Sequence, residues 1–448
     1  MSASPTSPAA SDATRLTRDR LVEIFSTYGR PRDTWLIGGE FERAVVRGDG
    51  SPVRYGDPDG IRWILEQLQV RQPDWSPVIE EGHLIALLRP DGSSITLEPG
   101  GQVELSGAPH ETLTALGDEM RENRDLLLEL AKGRDLHWVA CGVTPVASVD
   151  AVSWMPKGRY AIMRDYLPKK GDLALNMMKT TTSVQCNYDF LDEADCAQKV
   201  RLCAGLSSLI TAMFSNSPLV ENQPSGFKSY RGHIWTRTDP DRCGFPPGLR
   251  DAYSHARWVD YLLDVPMMFH KVRGQWVPVG DLTFRQFLDR GFDGTWPTLD
   301  DWDRHMTAVF PEVRIKRTIE VRGADCVGHE LALAFCALFT GLLYCNAATD
   351  EALQLVAELE GHGTHGSRFD VACRDGLEGT IGGRSVADWA RDLADIGHRG
   401  LKRCLPPDAP LLEPLLSLVE DGVSPADLLL AAWERDPSPA AVLRAVAY

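Results

Sequence analysis

Positive charge is scarce in this sequence. The 448 residues contain 47 lysines and arginines against 63 aspartates and glutamates, which gives a formal net charge of -16. Nonspecific nucleic-acid binding and docking on anionic lipid both need a basic surface. We therefore expect no nucleic-acid partner and no membrane partner, although local arginines can still bind anionic substrates.

Long apolar runs and regular cysteine motifs are also missing. The most apolar stretch, Leu331 to Cys345, is shorter than the roughly 20 residues that span a bilayer, so it predicts a buried helix. The ten cysteines include no CxxC pair, and the first fourteen residues lack the apolar segment of a secretory signal. These absences predict reduced thiols, a disordered tail at residues 1–14 and a cytoplasmic location. For the assembly we expect a monomer or a homodimer.

The familiar nucleotide and zinc motifs are absent or out of context. No GxxxxGK[ST] phosphate loop is present, so an ATP site here is of another type. The segment Gly361 to Gly366 fits GxGxxG, but it follows the helical pattern EALQLVAELE. Because the dinucleotide fingerprint needs a strand, a turn and a helix in that order, we interpret this segment as a loop. No set of histidines and cysteines has the spacing of zinc ligands.

Segments with a period of two are interspersed with helical patterns, without regular βαβ spacing. The strand patterns cover residues 35–46, 94–106, 137–143, 180–190 and 313–322, and helical patterns cover 17–28, 111–132 and much of the chain after 350. This arrangement predicts an α+β fold with an antiparallel sheet. We predict a catalytic domain over residues 15–350 and a helical C-terminal part, residues 351–448, that packs on it.

Four of these segments carry carboxylates and amides on one face. Side chains at i and i+2 of a strand point the same way. The four polar faces are Glu40 and Glu42; Glu98, Gln102, Glu104 and Ser106; Ser183, Gln185, Asn187 and Asp189; and Arg314, Lys316, Thr318, Glu320 and Arg322. A single polar face is usually solvated, but paired strands would bring the carboxylates together, where they repel unless a cation lies among them. Such oxygen donors suit magnesium or manganese.

Basic and aromatic residues cluster between the strand patterns. The clusters are Lys157 to Tyr160 with Arg164, Met178 to Thr180 and Phe227 to Arg242. In an acidic chain they are candidate clamps for phosphate or carboxylate, because the guanidinium fork matches both groups. The alternative is a set of surface loops with weak ion pairs.

The chain contains, in this order, the segments LEPGGQVELSGAPHETL, MPKGRYAIMRDYLPKKG, MKTTTSVQCNYDF, FSNSPLVENQPSGFKSYRGHIWTRTDPDRCG, LTFRQFLDRGF and DWDRHMTAVFPEVRIKRTIEVRGAD. These ordered segments carry a resemblance to the plant-type glutamate–cysteine ligase family. It implies a glutamine-synthetase-like catalytic fold with a curved antiparallel sheet and surrounding helices. It also implies ATP, glutamate and cysteine as substrates, two to three magnesium ions, and γ-phosphorylation of glutamate followed by attack of the cysteine amine. The product would be γ-glutamylcysteine, the first step of glutathione biosynthesis.

The resemblance assigns roles residue by residue. Metal-binding positions are matched by Glu40, Glu42, Glu98, Glu104, Gln185 and Glu320. Catalytic positions are matched by Arg322, beside the transferring phosphoryl group, Glu320 and Lys179. Substrate or ATP contacts are matched by Arg159, Tyr160, Arg164, Gln102, Asn187, Arg231, Trp235, Arg237 and Arg242.

Three alternatives remain at this level. Arg237 stands where the plant pattern WTDTD has an acidic residue, which leaves room for a different acceptor amine or thiol pathway. The same scaffold also supports guanidino phosphotransferases, which form no amide. A non-catalytic homologue is the third, and the retained glutamates and Arg322 argue against it.

Overall fold

An antiparallel sheet of nine strands organises the chain in this computed structural model, which describes residues 15–246, 248–249 and 252–448. The predicted tail at residues 1–14 lies outside the described residues. The strands are β1 (Ile37–Val46), β2 (Ser76–Glu80), β3 (His83–Leu88), β4 (Ser94–Leu97), β5 (Val103–Ser106), β6 (His137–Val139), β7 (Ser183–Tyr188), β8 (Leu219–Val220), β9 (Gln223–Pro224), β10 (Cys243–Gly244), β11 (Pro266–Val272), β12 (Gln275–Thr283), β13 (Phe310–Pro311), β14 (Val313–Ile315), β15 (Ile319–Asp325), β16 (Thr380–Ile381) and β17 (Arg384–Ser385).

The order of strands places β1 at the centre of the sheet. The sequence across it is β14-β15-β7-β1-β5-β4-β3-β2, and β6 pairs with β1 beside this path. Every neighbouring pair in this sheet is antiparallel. The other strands form four two-stranded pairs, β8 with β9, β10 with β13, β11 with β12 and β16 with β17.

Helices surround the sheet, and most of them begin at a side-chain cap. They are α1 (Arg18–Ser26), α2 (Ile61–Arg71), α3 (Leu113–Ala131), α4 (Gly158–Tyr166), α5 (Ala174–Thr180), α6 (Glu193–Met213), α7 (Tyr230–Thr236), α8 (His255–Asp264), α9 (Phe284–Arg290), α10 (Leu299–Met306), α11 (His329–Tyr344), α12 (Asn346–Glu360), α13 (His365–Asp375), α14 (Val386–Cys404), α15 (Glu413–Asp421), α16 (Pro425–Arg435) and α17 (Pro439–Ala445). Ser424 and Asp427 form a capping box at the start of α16, as the sequence Ser-Pro-Ala-Asp predicts. The predicted α+β fold with an antiparallel sheet is confirmed.

Two of the predicted strand segments are hairpins. Residues 94–106 form β4 and β5 around a tight turn in which Gly101 adopts a φ of 94°. The neighbouring Gly100 packs on the carbonyl of Lys179 so closely that a Cβ would overlap it. The prediction of one continuous strand at residues 313–322 is wrong, because β14 and β15 fold back on each other and pair Arg314 with Glu320. In the hairpin these opposite charges lie directly across from each other on neighbouring strands. In a single strand they would be separated along the same face.

The apolar segment predicted as a buried helix is α11, at the centre of the helical layer. Twelve of its residues are buried, from Ala332 to Leu343. It crosses α14 where Gly341 meets Gly397 and Gly400, and a side chain at Gly341 or Gly400 would overlap the facing backbone. The hydrophobic core runs without a break from the sheet into these C-terminal helices. The division of the chain near residue 350 stays a prediction.

None of the helices that the structure describes has by itself the length and apolarity needed to cross a membrane. The pair α11 and α12 meets that criterion only when joined, and the two helices are bent by 99°.

Candidate active site

A cavity of about 270 Å³ lies over the polar face of the central strands. It brings together Glu40 and Glu42 from β1, Glu98 and Glu104 from the β4–β5 hairpin, and Gln185 from β7. Of the other predicted site residues, it is lined by Gln102, Arg159, Tyr160, Arg231, Trp235 and Arg322. The strands and the β4–β5 turn supply the carboxylates, both glutamines and Arg322, whereas Arg159 and Tyr160 come from α4 and Arg231 and Trp235 from α7.

The register of β1 with its two neighbours sets the spacing of the carboxylates. Glu42 lies directly opposite Glu104 on β5, and Glu40 lies opposite Gln185 on β7. The Ser183 backbone N–H donates to Glu42 Oε2 at 2.6 Å, and Ser106 Oγ donates to Glu104 Oε1 at 2.7 Å. Asn187 Nδ2 donates to Glu40 Oε1 at 2.9 Å. Asn187 thus holds Glu40 from the neighbouring strand and does not itself line the cavity.

Burial and mutual repulsion raise the pKa values of these carboxyl groups. The pKa of Glu42 is raised to about 8, first by burial and then by the charges of Glu104 and Glu98. Burial also raises the pKa of Glu40, where Glu320 adds repulsion, and the pKa of Glu104, where Glu98 does. For Glu42, burial and repulsion outweigh the nearby charges of Arg231 and Arg322, which act to lower its pKa.

Glu320 is the exception, because cations surround it. Arg314 donates to both of its carboxylate oxygens, at 2.9 and 2.8 Å, Lys316 Nζ lies 3.0 Å from Oε2, and Arg322 donates to Oε1. Burial alone would raise its pKa, but Arg314, Lys316 and Arg322 hold that pKa well below the ordinary value. Glu320 is fully buried and does not line the cavity; it anchors the three cations beside it.

Arg322 and Arg231 form the cationic side of the cavity. Arg322 also donates to Gln185 Oε1, and its Nε is buried without a partner. Arg231 donates to the Arg322 carbonyl at 3.0 Å, and its Nη1 also forms an ion pair with Asp325 Oδ1 at 3.9 Å. These guanidinium groups face the carboxylates across the cavity. The guanidinium groups can bind the anionic groups of a substrate, and the carboxylates can bind cations.

Gln102 and Tyr160 shape the hairpin that carries Glu98 and Glu104. The Gln102 side chain accepts from the Gly100 N–H at 2.9 Å and donates to the Thr181 carbonyl at 2.8 Å. Tyr160 Oη and Lys157 Nζ both donate to the Leu97 carbonyl at 2.6 Å. The β4–β5 turn is therefore tied to the end of α5 and the start of α4.

Besides Asn187 and Glu320, four other predicted site residues lie outside the cavity. Lys179 is buried, with its Nζ 5.4 Å from the centre of the Trp154 ring, and Arg164 is half exposed beside Asp165. Arg237 is half exposed and paired with Asp172. Arg242, predicted to contact a ligand, is fully buried, and each of its three donor nitrogens has a partner in the protein: Asp239, the Ala308 carbonyl and the Pro266 carbonyl. Its position is structural, which corrects that prediction.

The cavity also contains residues to which the sequence assigned no individual role in the site. Arg314 and Lys316 lie on a polar face that the alternation revealed, so their charge was a usable signal. The apolar lining residues are Met163, Met177, Met178, Phe269, Ala308 and Phe310. Apolar side chains in strands and helices are typical of a core, and no local pattern marks these as part of a site.

The oxygen-rich donors fit a hard metal ion, although the side chains are not drawn together around one. Within the described ranges, no three acidic, histidine or cysteine side chains stand close enough to hold a metal ion as they are placed. The donors on the cavity wall are glutamate carboxylates and one glutamine amide, the ligand type that magnesium prefers.

Comparisons with known proteins agree with this geometry. The family model of glutamate-cysteine ligase family 2 (GCS2) matches residues 36–444. Glutamate–cysteine ligase B, chloroplastic, of Oryza sativa subsp. japonica is 36% identical over 447 residues, covering 97% of this chain and 88% of that protein. The chloroplastic glutamate–cysteine ligase of Arabidopsis thaliana is 36% identical over 442 residues, covering 97% and 83%. A crystal structure of glutamate–cysteine ligase from Francisella tularensis in complex with AMP shares the fold, with a TM-score of 0.57 at 14% identity over 92% of this chain and 87% of that one. The predicted resemblance is confirmed: the chain belongs to glutamate-cysteine ligase family 2.

Proposed function

We propose that this protein joins the γ-carboxylate of L-glutamate to the amine of L-cysteine, with ATP converted to ADP and phosphate. The observation that carries the proposal is the cavity in which four glutamates face Arg231 and Arg322. Family membership supports the same reaction, since the rice and Arabidopsis relatives are named glutamate–cysteine ligases.

The chemistry explains why such a cavity is needed. An amide does not form spontaneously from a carboxylate and an amine in water, so the γ-carboxylate oxygen first attacks the γ-phosphorus of ATP and releases ADP. The cysteine amine then attacks the acyl carbon of γ-glutamyl phosphate, phosphate leaves, and the nitrogen loses a proton. Phosphoryl transfer of this kind depends mainly on positioning and charge neutralisation.

Arg322 is placed to neutralise charge on the transferring phosphoryl group. Its guanidinium is held by Glu320 and Gln185, so little reorganisation is required when charge develops. Arg231 is fixed through the Arg322 carbonyl and is suited to a substrate carboxylate. The proton acceptor for the amine is one of the cavity carboxylates.

The same carboxylates would hold magnesium ions. The donors would come from Glu40, Glu42, Glu98, Glu104 and Gln185. Glu320 does not line the cavity and pairs with Arg322 instead. Magnesium held there would neutralise charge on the phosphate oxygens of ATP.

The test is phosphate release from ATP in the presence of glutamate, with cysteine compared against other amines and the product identified by mass. We expect cysteine-dependent release and a γ-glutamylcysteine mass. Arg322→Ala should lower kcat by about 10²–10³-fold. The matched control is Arg374→Ala, an exposed arginine on α13 that pairs with Asp370 one turn away. Turnover with another amine alone would contradict the proposed acceptor, and no turnover with any amine would contradict the ligase reaction.

A further inference from the structure

Arg231 reaches the cavity from a helix that is too short to hold its own position. Helix α7 has seven residues, and isolated helices shorter than about 12 residues are marginal in water, so its placement depends on tertiary contacts. Its first turn is attached through two buried serine hydroxyls. Ser229 caps the helix by accepting from the Gly232 N–H at 3.0 Å, and Ser217 accepts from the Arg231 N–H at 3.0 Å. The contacts that hold these two serines therefore also hold Arg231.

Both serines donate to one carboxylate, that of Asp325 at the end of β15. Ser217 Oγ donates to Oδ2 at 2.6 Å, and Ser229 Oγ donates to Oδ1 at 2.9 Å. The Asn216 backbone N–H also donates to Oδ2, at 2.8 Å. Asp325 is buried, and Gly142 packs so closely on it that a Cβ there would overlap the carboxyl group. The carboxylate is thus fixed in position and accepts hydrogen bonds on both oxygens.

Asp325 also interacts with the Arg231 side chain. Arg231 Nη1 lies 3.9 Å from Asp325 Oδ1, and its Nη2 donates to the Arg322 carbonyl at 3.0 Å. Burial raises the pKa of Asp325, and the charge of Arg231 is the largest of the effects that act to lower it. Arg231 is therefore held at its backbone through Ser217 and at its guanidinium group through β15.

The strand that carries Arg322 and Asp325 is irregular between these two residues. The pairing of β15 with β7 shifts register between Val321 and Ala324 and is regular again at Ala324 and Asp325. An irregularity of this kind changes the direction of the side chains beside it. Because Arg322 lies in this interval, its direction depends on how the strand is held beyond it, and Asp325 holds the strand there through three hydrogen bonds.

We propose that Asp325 is the positioning residue that fixes Arg231 relative to Arg322, so that the substrate carboxylate and the transferring phosphoryl group are held at a constant spacing. This inference rests on the proposed function and adds a residue that acts only through others, since Asp325 does not line the cavity. The two guanidinium groups come from different elements, α7 and β15, and one buried carboxylate joins these elements. Such positioning matters because a displacement of about 1 Å can slow an enzyme by about 10²-fold.

The test compares the ligation kinetics of wild type, Asp325→Asn, Arg231→Ala and the double variant. Asparagine has nearly the shape of aspartate but keeps only one acceptor oxygen. Because the Asn216 N–H requires an acceptor, that oxygen faces Asn216, and the amide NH₂ faces Ser229 and Arg231, where it cannot accept. We expect Asp325→Asn to raise the KM for glutamate about tenfold, to lower kcat less, and to change the KM for cysteine less than about twofold.

The double variant separates positioning from a general loss of structure. In the Arg231→Ala background, Asp325→Asn should change kcat/KM for glutamate less than about twofold, because its effect passes through Arg231. The matched control is Asp408→Asn, at a buried aspartate outside the cavity lining that accepts from the Leu113 N–H at 2.8 Å and from Thr114 Oγ1 at 2.6 Å. This control should leave the KM for glutamate unchanged. Should Asp325→Asn not fold, Ser217→Ala takes its place, since it removes the hydroxyl that joins the Arg231 N–H to Asp325.

An unchanged KM for glutamate in Asp325→Asn, or effects that multiply in the double variant, would overturn the inference and leave the proposed function intact. If the wild type ligates no amine, the proposed function fails, and the inference is judged by calorimetric titration with glutamate. A Kd raised about tenfold in Asp325→Asn and in Arg231→Ala, and raised no further in the double variant, supports the inference. Equal affinities, or no binding of glutamate to the wild type, overturn it.

Discussion

Replacement of Arg314 by methionine should destabilise the protein in a pH-dependent way. Arg314 is buried and makes a two-pronged contact with the fully buried Glu320, and it also donates to the Val309 carbonyl at 3.1 Å. Removal of one partner of a buried ion pair costs about 3–5 kcal/mol. Because Lys316 and Arg322 still contact Glu320, we expect the low end of that range, about 3 kcal/mol at pH 7.

The pH dependence follows from the pKa of Glu320. Arg314 is the largest of the charges that hold this pKa below its ordinary value, against the effect of burial. The stabilisation by Arg314 is therefore present above the ordinary pKa of glutamate and is lost as pH falls through the lower folded-state pKa. In Arg314→Met the pKa of Glu320 rises, so the variant loses its ionised form at a higher pH. The cost of the substitution should then be smaller at pH 4 than at pH 7.

The assay is urea unfolding of wild type, Arg314→Met and Arg314→Lys at pH 7 and pH 4. Arg314→Lys keeps the positive charge but loses the forked guanidinium group. It should therefore lower the free energy of unfolding about half as much as Arg314→Met does. Turnover should fall as well, because Glu320 also anchors Arg322. A cost below about 1 kcal/mol at pH 7, or an equal cost at both pH values, would refute the assigned role of the pair.

Three further predictions concern other parts of the molecule. Because the pKa of Glu42 is raised to about 8, the free energy of unfolding of the metal-free protein should fall by at most about 5 kcal/mol as pH rises from about 4.5 to about 8. Glu42→Gln should flatten this pH dependence, measured by urea unfolding in the presence of a chelator. Parallel curves of unfolding free energy against pH for the two proteins would contradict the prediction. Gly400→Ala should lower the free energy of unfolding by about 3 kcal/mol in urea, because the added Cβ would overlap the Gly341 carbonyl where α11 crosses α14. A decrease of less than about 1 kcal/mol would show that the two helices can move apart. Arg237→Ala should leave kcat/KM and acceptor preference within about twofold, since the side chain is half exposed and paired with Asp172; a changed preference would place this residue in the substrate site after all.

The sequence was sufficient to predict which strand residues face the site, because that pattern is local. The two-residue period puts Glu40 and Glu42, or Gln185 and Asn187, on one face whatever their neighbours are. It could not predict that Glu42 lies opposite Glu104, since register depends on which strands pair. The turn between β14 and β15 also has no glycine, asparagine or proline to mark it, which explains the missed hairpin.

The remaining errors concern residues whose roles depend on tertiary contacts. Arg242 lies in a stretch rich in charged residues and predicts a surface clamp, yet it is buried against backbone carbonyls from two distant segments. Phe269 received no role from the sequence, because apolar side chains are typical of a core, yet it lines the cavity. Neither the carbonyl partners of an arginine nor the tertiary neighbours of an apolar side chain can be inferred from adjacent residues in the sequence.

The site also explains how an acidic protein can bind anionic substrates. Four cations, Arg231, Arg314, Lys316 and Arg322, line one side of the cavity, and Glu320 is the carboxylate that pairs with three of them at short range. That side therefore keeps a local excess of positive charge within a chain of net charge -16. Glu320 does not cancel this excess, because its single negative charge is opposed by three positive charges. It holds those three side chains at fixed positions. Loss of Glu320 should thus disperse the cations by mutual repulsion, so that a substitution removing negative charge would weaken the binding of an anion.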